Sequence, residues 1–214
     1  KISSAASLSL MFWNHDFVDI SPLAKLSDLT YLQISWGNQS LSDISPLGAL
    51  SGLKHLNLDG LPVVDISAIA SLRNLENLSL NYTGTQDLSP VASLKKLRHL
   101  GVGSLSLPQV PDFSSISNLE SLDYSGNRIA SLEQFLGFLP SGLRNLSLQN
   151  TGINETKAFG VLERIEELRL DNNNISMVEI ESLSNLRLLE IRENPVTEFR
   201  VSGTPNLETI WGGR

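Results

Sequence analysis

Ile165-Glu166-Glu167-Leu168-Arg169-Leu170-Asp171-Asn172-Asn173 decides how this chain folds. The stretch reads L-x-x-L-x-L-x-x-N, with isoleucine in the first place. Side chains of a strand alternate between its faces, so Leu168 and Leu170 point one way and Glu167, Arg169 and Asp171 the other. The Asn173 amide can feed the backbone of the turn that follows. One such unit cannot bury its own apolar face and needs copies of itself stacked against it.

The copies are present. The first apolar position recurs at Ala5, Leu29, Leu53, Leu75, Leu97, Leu119, Leu143, Ile165, Leu186 and Leu207, spaced by 21 to 24 residues. A period of about 20–29 with this frame is the leucine-rich repeat signature. The inward pairs are Leu8/Leu10, Leu32/Ile34, Leu56/Leu58, Leu78/Leu80, Leu100/Val102, Leu122/Tyr124, Leu146/Leu148, Leu168/Leu170 and Leu189/Ile191. Tyr124 departs most, and its hydroxyl needs a partner if buried. The expected fold is α/β: a right-handed leucine-rich repeat solenoid. Parallel strands line its concave face, with short helices and extended turns on the convex face. Residues 1–214 are expected to form a single domain of about nine repeats and a partial tenth.

Return segments vary. Asp19-Ile20-Ser21-Pro22-Leu23, Asp43-Ile44-Ser45-Pro46-Leu47, Asp65-Ile66-Ser67-Ala68-Ile69 and Asp87-Leu88-Ser89-Pro90-Val91 share one pattern. Serine before proline reads as an N-cap and first turn, so each starts a short helix or 3₁₀ turn. Ile20, Leu23 and Leu26 then seal the core. Residues 105–117 hold Pro108 and Pro111 and read as irregular. Residues 131–139 and 155–164 read as more helical, and 196–204 as extended. Leu207-Glu208-Thr209-Ile210-Trp211 begins a tenth strand, after which either capping residues lie elsewhere or Trp211 closes the end.

The Asp-Ile-Ser-Pro-Leu returns on a 22-residue period resemble the internalin class of bacterial leucine-rich repeat proteins and the related phosphatase-regulator type. The strand frame covers almost the whole chain, the returns about its first 90 residues. The asparagine position departs from the pattern. It holds Asn127, Asn173 and Asn194, but elsewhere Trp13, Gly37, Leu61, Thr83, Leu105 and Thr151. The resemblance implies a curved, often extracellular scaffold that holds partners on its concave sheet.

Composition bounds the function. Hydrophobic residues make up 41 % and charged residues 18 %, which is too apolar for a disordered chain. No run approaches the roughly 18 apolar residues of a membrane span, so no membrane insertion is expected. The net charge of −7 argues against nucleic acid. Residues 1–107 hold eight acidic and seven basic residues, and residues 108–214 hold fifteen and nine. With no cysteine, disulfides and thiolate metal sites are excluded. That suits a bacterial secreted or surface protein, with the cytoplasm as the alternative. The first residues lack an apolar signal region, so any targeting segment is expected outside this chain.

Stacked strands turn like positions into ladders about 4.8 Å apart. The residue after the first apolar position reads Lys54, Glu76, Arg98, Glu120, Arg144, Glu166, Arg187, Glu208, alternating in sign. That is expected to be a structural ion-pair ladder. The concave face comes from the second, fourth and sixth residues after the first apolar position, with the seventh at the rim. Its candidate partner-binding residues are Met11, Phe12, Tyr31, Gln33 and Trp36, then His55, Asn57 and Asp59, then Asn81 and Tyr82. Aromatic residues in polar positions suggest an interface. Phe12 and Trp13 serve equally well as an N-terminal cap. Glycines at 101 and 103 leave room for close approach or are merely tolerated. Arg169, Glu190 and Arg192 read as paired charges that supply specificity at an interface edge.

No catalytic motif is present: there is no phosphate loop, nucleophile elbow or zinc helix. His55 and His99 share a column two strands apart, too far for one metal unaided. The chain reads as a non-enzymatic, monomeric recognition scaffold for a protein partner, with no cofactor and no metal. The alternatives are a regulatory or inhibitory subunit of an intracellular enzyme, or the recognition arm of a larger effector.

Overall fold

The computed structural model describes residues 6–11, 18–35 and 39–213, and for residues 10, 11 and 35 the backbone alone. The chain forms two compact units, Lys1–Pro111 and Asp112–Arg214.

The first unit holds five strands: β1 (Ser7–Met11), β2 (Tyr31–Ser35), β3 (His55–Asn57), β4 (Asn77–Ser79) and β5 (His99–Gly101). Each pairs in parallel with the next in chain order. The register is the one the period demands, with Leu8, Leu32, Leu56, Leu78 and Leu100 in one row. Leu32, Leu56, Leu78 and Leu100 are no more than 3 % exposed. Burying one such side chain contributes roughly 1.5–3 kcal/mol, so stacking supplies what three-residue strands cannot.

The returns of this unit are 3₁₀ turns at Ser21–Lys25, Ser45–Ala49, Ser67–Ser71 and Ser89–Ser93. Their start differs from the expected serine cap. Serine is already the first residue of the turn, and the aspartate two places earlier satisfies its backbone. The Ser21, Ser45, Ser67 and Ser89 N–H groups donate to Oδ1 of Asp19, Asp43, Asp65 and Asp87, each at 2.8 Å. A carboxylate bonded this way imitates a backbone turn. Ile20 and Leu26 are buried and Leu23 half-buried. Residues 105–113 have no regular structure, and Asp112 repeats the aspartate device toward Ser114.

The second unit's main sheet is β6 (Ser121–Asp123), β7 (Asn145–Ser147), β8 (Glu167–Arg169), β10 (Leu188–Glu190) and β12 (Thr209–Trp211), all parallel. The core row runs Leu122, Leu146, Leu168, Leu189, Ile210. A second, two-stranded parallel sheet pairs β9 (Met177–Glu181) with β11 (Glu198–Ser202) on the return side. The extended reading of 196–204 holds, and β9 is the partner it lacked. Alternation explains β9: Val178 and Ile180 are buried and Met177 and Glu179 half-exposed.

Residues 131–139 are the most helical return, with α1 spanning Leu132–Gly137. Here serine is a true cap, Ser131 Oγ accepting from Gln134 N at 3.3 Å. The 155–164 return is only a 3₁₀ turn at Lys157–Val161, like those of the first unit. Tyr124 is 1 % exposed and packs on Phe113 and Phe135, with ring centroids 6.3 and 4.9 Å away. Burial pushes its phenol up to about 12.

Asn173 shows what the asparagine position does. Its Nδ2 donates to Leu148 O and Leu170 O, and its Oδ1 accepts from Thr151 N and Gly152 N, all within 2.9 Å. Asn194 repeats this with Leu170 O, Ile191 O and Ile175 N. Where threonine replaces asparagine, Thr83 and Thr151 each donate to the carbonyl three residues back. Thr151 Oγ1 also meets Asn173 Oδ1 of the following repeat at 3.2 Å.

Candidate recognition surface

The outward face of each sheet carries the second and fourth positions of every repeat. In the first unit Tyr31 and Gln33 stand on β2, His55 and Asn57 on β3, and Asp59 and Asn81 just beyond β3 and β4. These side chains are half-buried and bonded to one another. The Tyr31 hydroxyl donates to Gln33 Oε1 at 2.8 Å, and its ring lies 5.9 Å from that of His55. Asp59 Oδ1 accepts from Ser79 Oγ and from the Asn81 backbone, at 2.7 and 2.8 Å. Asn81 Oδ1 passes the pattern on to Gly103 N at 2.6 Å. A Cβ at residue 101 would stand 2.9 Å from both Ser79 Oγ and Asn81 Nδ2. The room left by Gly101 is therefore filled from within the chain.

The sixth position is thus a ladder in which a side chain accepts the backbone N–H of the next repeat. Ser125 does this for Gln149 and Asp171 for Arg192, at 3.3 and 2.7 Å. The seventh position is a second ladder. Gly60, Tyr82, Ser104, Gly126, Asn150, Asn172 and Glu193 all have φ between 53° and 73°. Apart from Ser104, their N–H groups donate to the sixth-position carbonyl of the following repeat, as Tyr82 does to Gly103 at 2.9 Å. Glycine and asparagine take this conformation readily, whereas tyrosine does so rarely. Tyr82 is nevertheless 59 % exposed.

The second unit's face is charged. Asp171 Oδ2 accepts from Arg192 Nη2 at 2.8 Å, and Arg192 Nη2 also meets Glu190 Oε2 at 2.9 Å. Glu190 reaches back to Arg169 Nε at 3.4 Å, and Arg169 Nη2 holds Glu167 Oε2 at 2.5 Å. The hydrogen bond and charge of Asp171, and then Glu190, raise the Arg192 guanidinium above its usual value. Arg192 also lies 5.4 Å from the Trp211 ring centroid. Trp211 occupies the Glu190 row of the next strand, on the outward face. It is 52 % exposed, and Ile210 in the core row remains 44 % exposed, so Trp211 does not cover that end of the core. Counting four residues on from Leu207 would have placed Trp211 among the surface candidates.

The candidate residues therefore fall into two groups: Tyr31, Gln33, His55, Asn57, Asp59, Asn81 and Tyr82 in the first unit, and Arg169, Glu190 and Arg192 in the second. Met11 ends β1, where its backbone alone is described. Phe12 and Trp36 lie outside the described residues. The charge ladder forms at its edge, with Lys54–Glu76 at 3.4 Å, Arg187–Glu208 at 2.8 Å and Arg144 bonded to Glu166. Among the described residues no cluster of three His, Asp or Glu could hold a metal. No helix among them is long and apolar enough to cross a membrane.

Known proteins fit this geometry. No protein-family model matches the chain. An uncharacterised leucine-rich repeat-containing protein of Schizosaccharomyces pombe is 32 % identical over 117 residues, which is 50 % of this chain. The chain spans only 19 % of that relative's length. An internalin of Listeria monocytogenes superposes with a TM-score of 0.68 at 25 % identity, covering 92 % of this chain and 71 % of the other. An internalin C2 from the same species gives 0.60 at 26 %, covering 97 % and 80 %. A Leptospira interrogans leucine-rich repeat protein, 22 % identical with a TM-score of 0.55 over 83 % and 58 %, shares the fold. Such scaffolds are typically built for protein–protein interaction. The repeat frame, the parallel ladders and these neighbours make the chain a leucine-rich repeat protein similar in fold to the internalins.

Proposed function

We propose that the chain is a recognition domain that binds a protein partner on the outward face of its sheet, chiefly in the first unit. The observation that carries this reading is Tyr82, exposed at the rim of a face whose other side chains are held in place by their own hydrogen bonds. A preorganised aromatic loses little entropy on binding, and tyrosine often carries binding energy. Tyr31, its ring tilted beside that of His55, extends the aromatic area. Arg169, Glu190 and Arg192 add charge specificity in the second unit. The proposal includes Trp36, Met11 and Phe12 on sequence grounds. Similarity to the internalins supports a bacterial secreted or surface protein.

The test is affinity capture with the wild-type chain against a Tyr31→Ala, Tyr82→Ala double variant. Circular dichroism must show the same fold in both. A protein retained by the wild type and lost with the variant supports the surface; equal retention removes it. A second reading makes the chain the recognition arm of a longer protein. The curated relative favours it, since the match covers only 19 % of that protein.

A further inference from the structure

On the return side of the second unit, α1 and the 3₁₀ turn Lys157–Val161 enclose a groove of about 580 Å³. In the first unit successive returns are 3₁₀ turns of equal length. Here a α-helix stands next to a 3₁₀ turn, and the space between them stays open. Leu136, Leu139, Leu143 and Leu162 line it, each buried at 8 % or less. Val161 forms a lip that is 67 % exposed. At Gly137 an added Cβ would meet nothing within 4 Å.

The rim is acidic. Glu133 and Glu155 are exposed, and neither has a cation partner among the described residues. The one lysine of the rim, Lys157, is turned to Glu179 at 3.5 Å. Residues 108–214 as a whole carry fifteen acidic and nine basic residues.

We propose that this groove docks a polypeptide segment in which a large apolar side chain is flanked by lysine or arginine. A concave, mostly apolar site with a few polar groups at its rim has the form of a binding pocket. Its volume lies within the roughly 300–1,000 Å³ range of ligand pockets, enough for one or two large side chains. Two unpaired carboxylates at the rim attract cations and repel acidic partners, a second copy of this acidic chain included. The exposed lip at Val161 and the open space at Gly137 leave a path along which a peptide backbone can run. This surface is separate from the sheet face and does not depend on the reading given for it.

The test uses the full chain and a fluorescein-labelled peptide, Lys-Lys-Gly-Leu-Phe-Gly-Arg-Arg, followed by fluorescence anisotropy. Two control peptides replace Leu-Phe by alanines, or every basic residue by glutamate. Gly137→Trp fills the groove from a position where a side chain has room, and Glu133→Lys with Glu155→Lys reverses the rim. Saturable binding is expected, weakened at least roughly tenfold by each control peptide and by each variant. If Gly137→Trp fails to fold, the rim variant alone decides. No saturable binding, or binding indifferent to the variants, overturns the proposal. So does equal binding of the glutamate peptide, which shows that the rim carboxylates select nothing. A dimer in sedimentation that Gly137→Trp dissolves assigns the groove to a second copy and also overturns it.

Discussion

Tyr82 is held at φ 58°, a conformation that costs an ordinary residue roughly 1–2 kcal/mol, with most of its ring in solvent. Glycine adopts that conformation without the penalty, at the expense of a more flexible unfolded chain. Tyr82→Gly is therefore expected to stabilise the protein by roughly 0.5–1 kcal/mol in calorimetry while weakening partner binding. A variant that loses both stability and binding would assign the ring a packing role. Asn173 gives the opposite case. It bonds five backbone groups in a buried place, so Asn173→Ala strands donors and acceptors away from water. Each group so stranded costs about 1–3 kcal/mol, and urea denaturation is expected to show a loss of roughly 3 kcal/mol. At this scale the sequence was only partly legible. The asparagine role followed from amide chemistry, but the partners of Asp59 and Asn81 depend on which side chains the register brings together.

At the level of elements, the aspartate-bonded returns respond to acid. Hydrogen bonds from serine backbone and side chain hold Asp19, Asp43, Asp65, Asp87 and Asp112 below the usual carboxylate value of 3.8. A folded value below the unfolded one gives stability that is present above pH 3.8 and fades as pH falls through the folded values. Thermal midpoints are expected to drop as pH falls below 3.8. Replacing Asp43, Asp65 and Asp87 by asparagine, which keeps the acceptor but not the charge, should flatten that slope. The strand face has its own sensitive point. Gly101→Ala pushes a methyl group into Ser79 and Asn81, and a loss of about 1–2 kcal/mol is expected in denaturant melts. The serine-proline pairs announced these turns correctly but misplaced the cap. A serine followed by proline signals a helix start, and the aspartate two residues earlier was the better acceptor because its side chain reaches the serine N–H. The β9 strand was readable from its alternation, though Met177 and Glu181 gave no punctuation to mark it off from a turn.

For the molecule as a whole, each repeat rests on its neighbours, so damage spreads along the stack. Leu78→Ala removes a side chain that is 2 % exposed and is expected to cost roughly 2–5 kcal/mol. Hydrogen exchange should rise first in β3 and β5, the strands that flank Leu78, and least in strands farther along the first unit. Uniform loss of protection throughout the unit would instead show that it unfolds as a single block. The architecture was legible because ten copies of one frame repeat the same information, and a misread residue in one is corrected by the rest. The groove beside α1 was not legible, since it arises from two unlike returns meeting and no single segment encodes it.

The column of left-handed residues ending in Glu193 has a use beyond this protein. Backbone geometry there follows the neighbouring carbonyl and not side-chain identity, as glycine, asparagine, glutamate and tyrosine all make the same bond. Within each unit, side chains grafted at those places would project at intervals of about 4.8 Å, the spacing of adjacent strands. The row is a ruler on which an engineered epitope could be written one mark at a time.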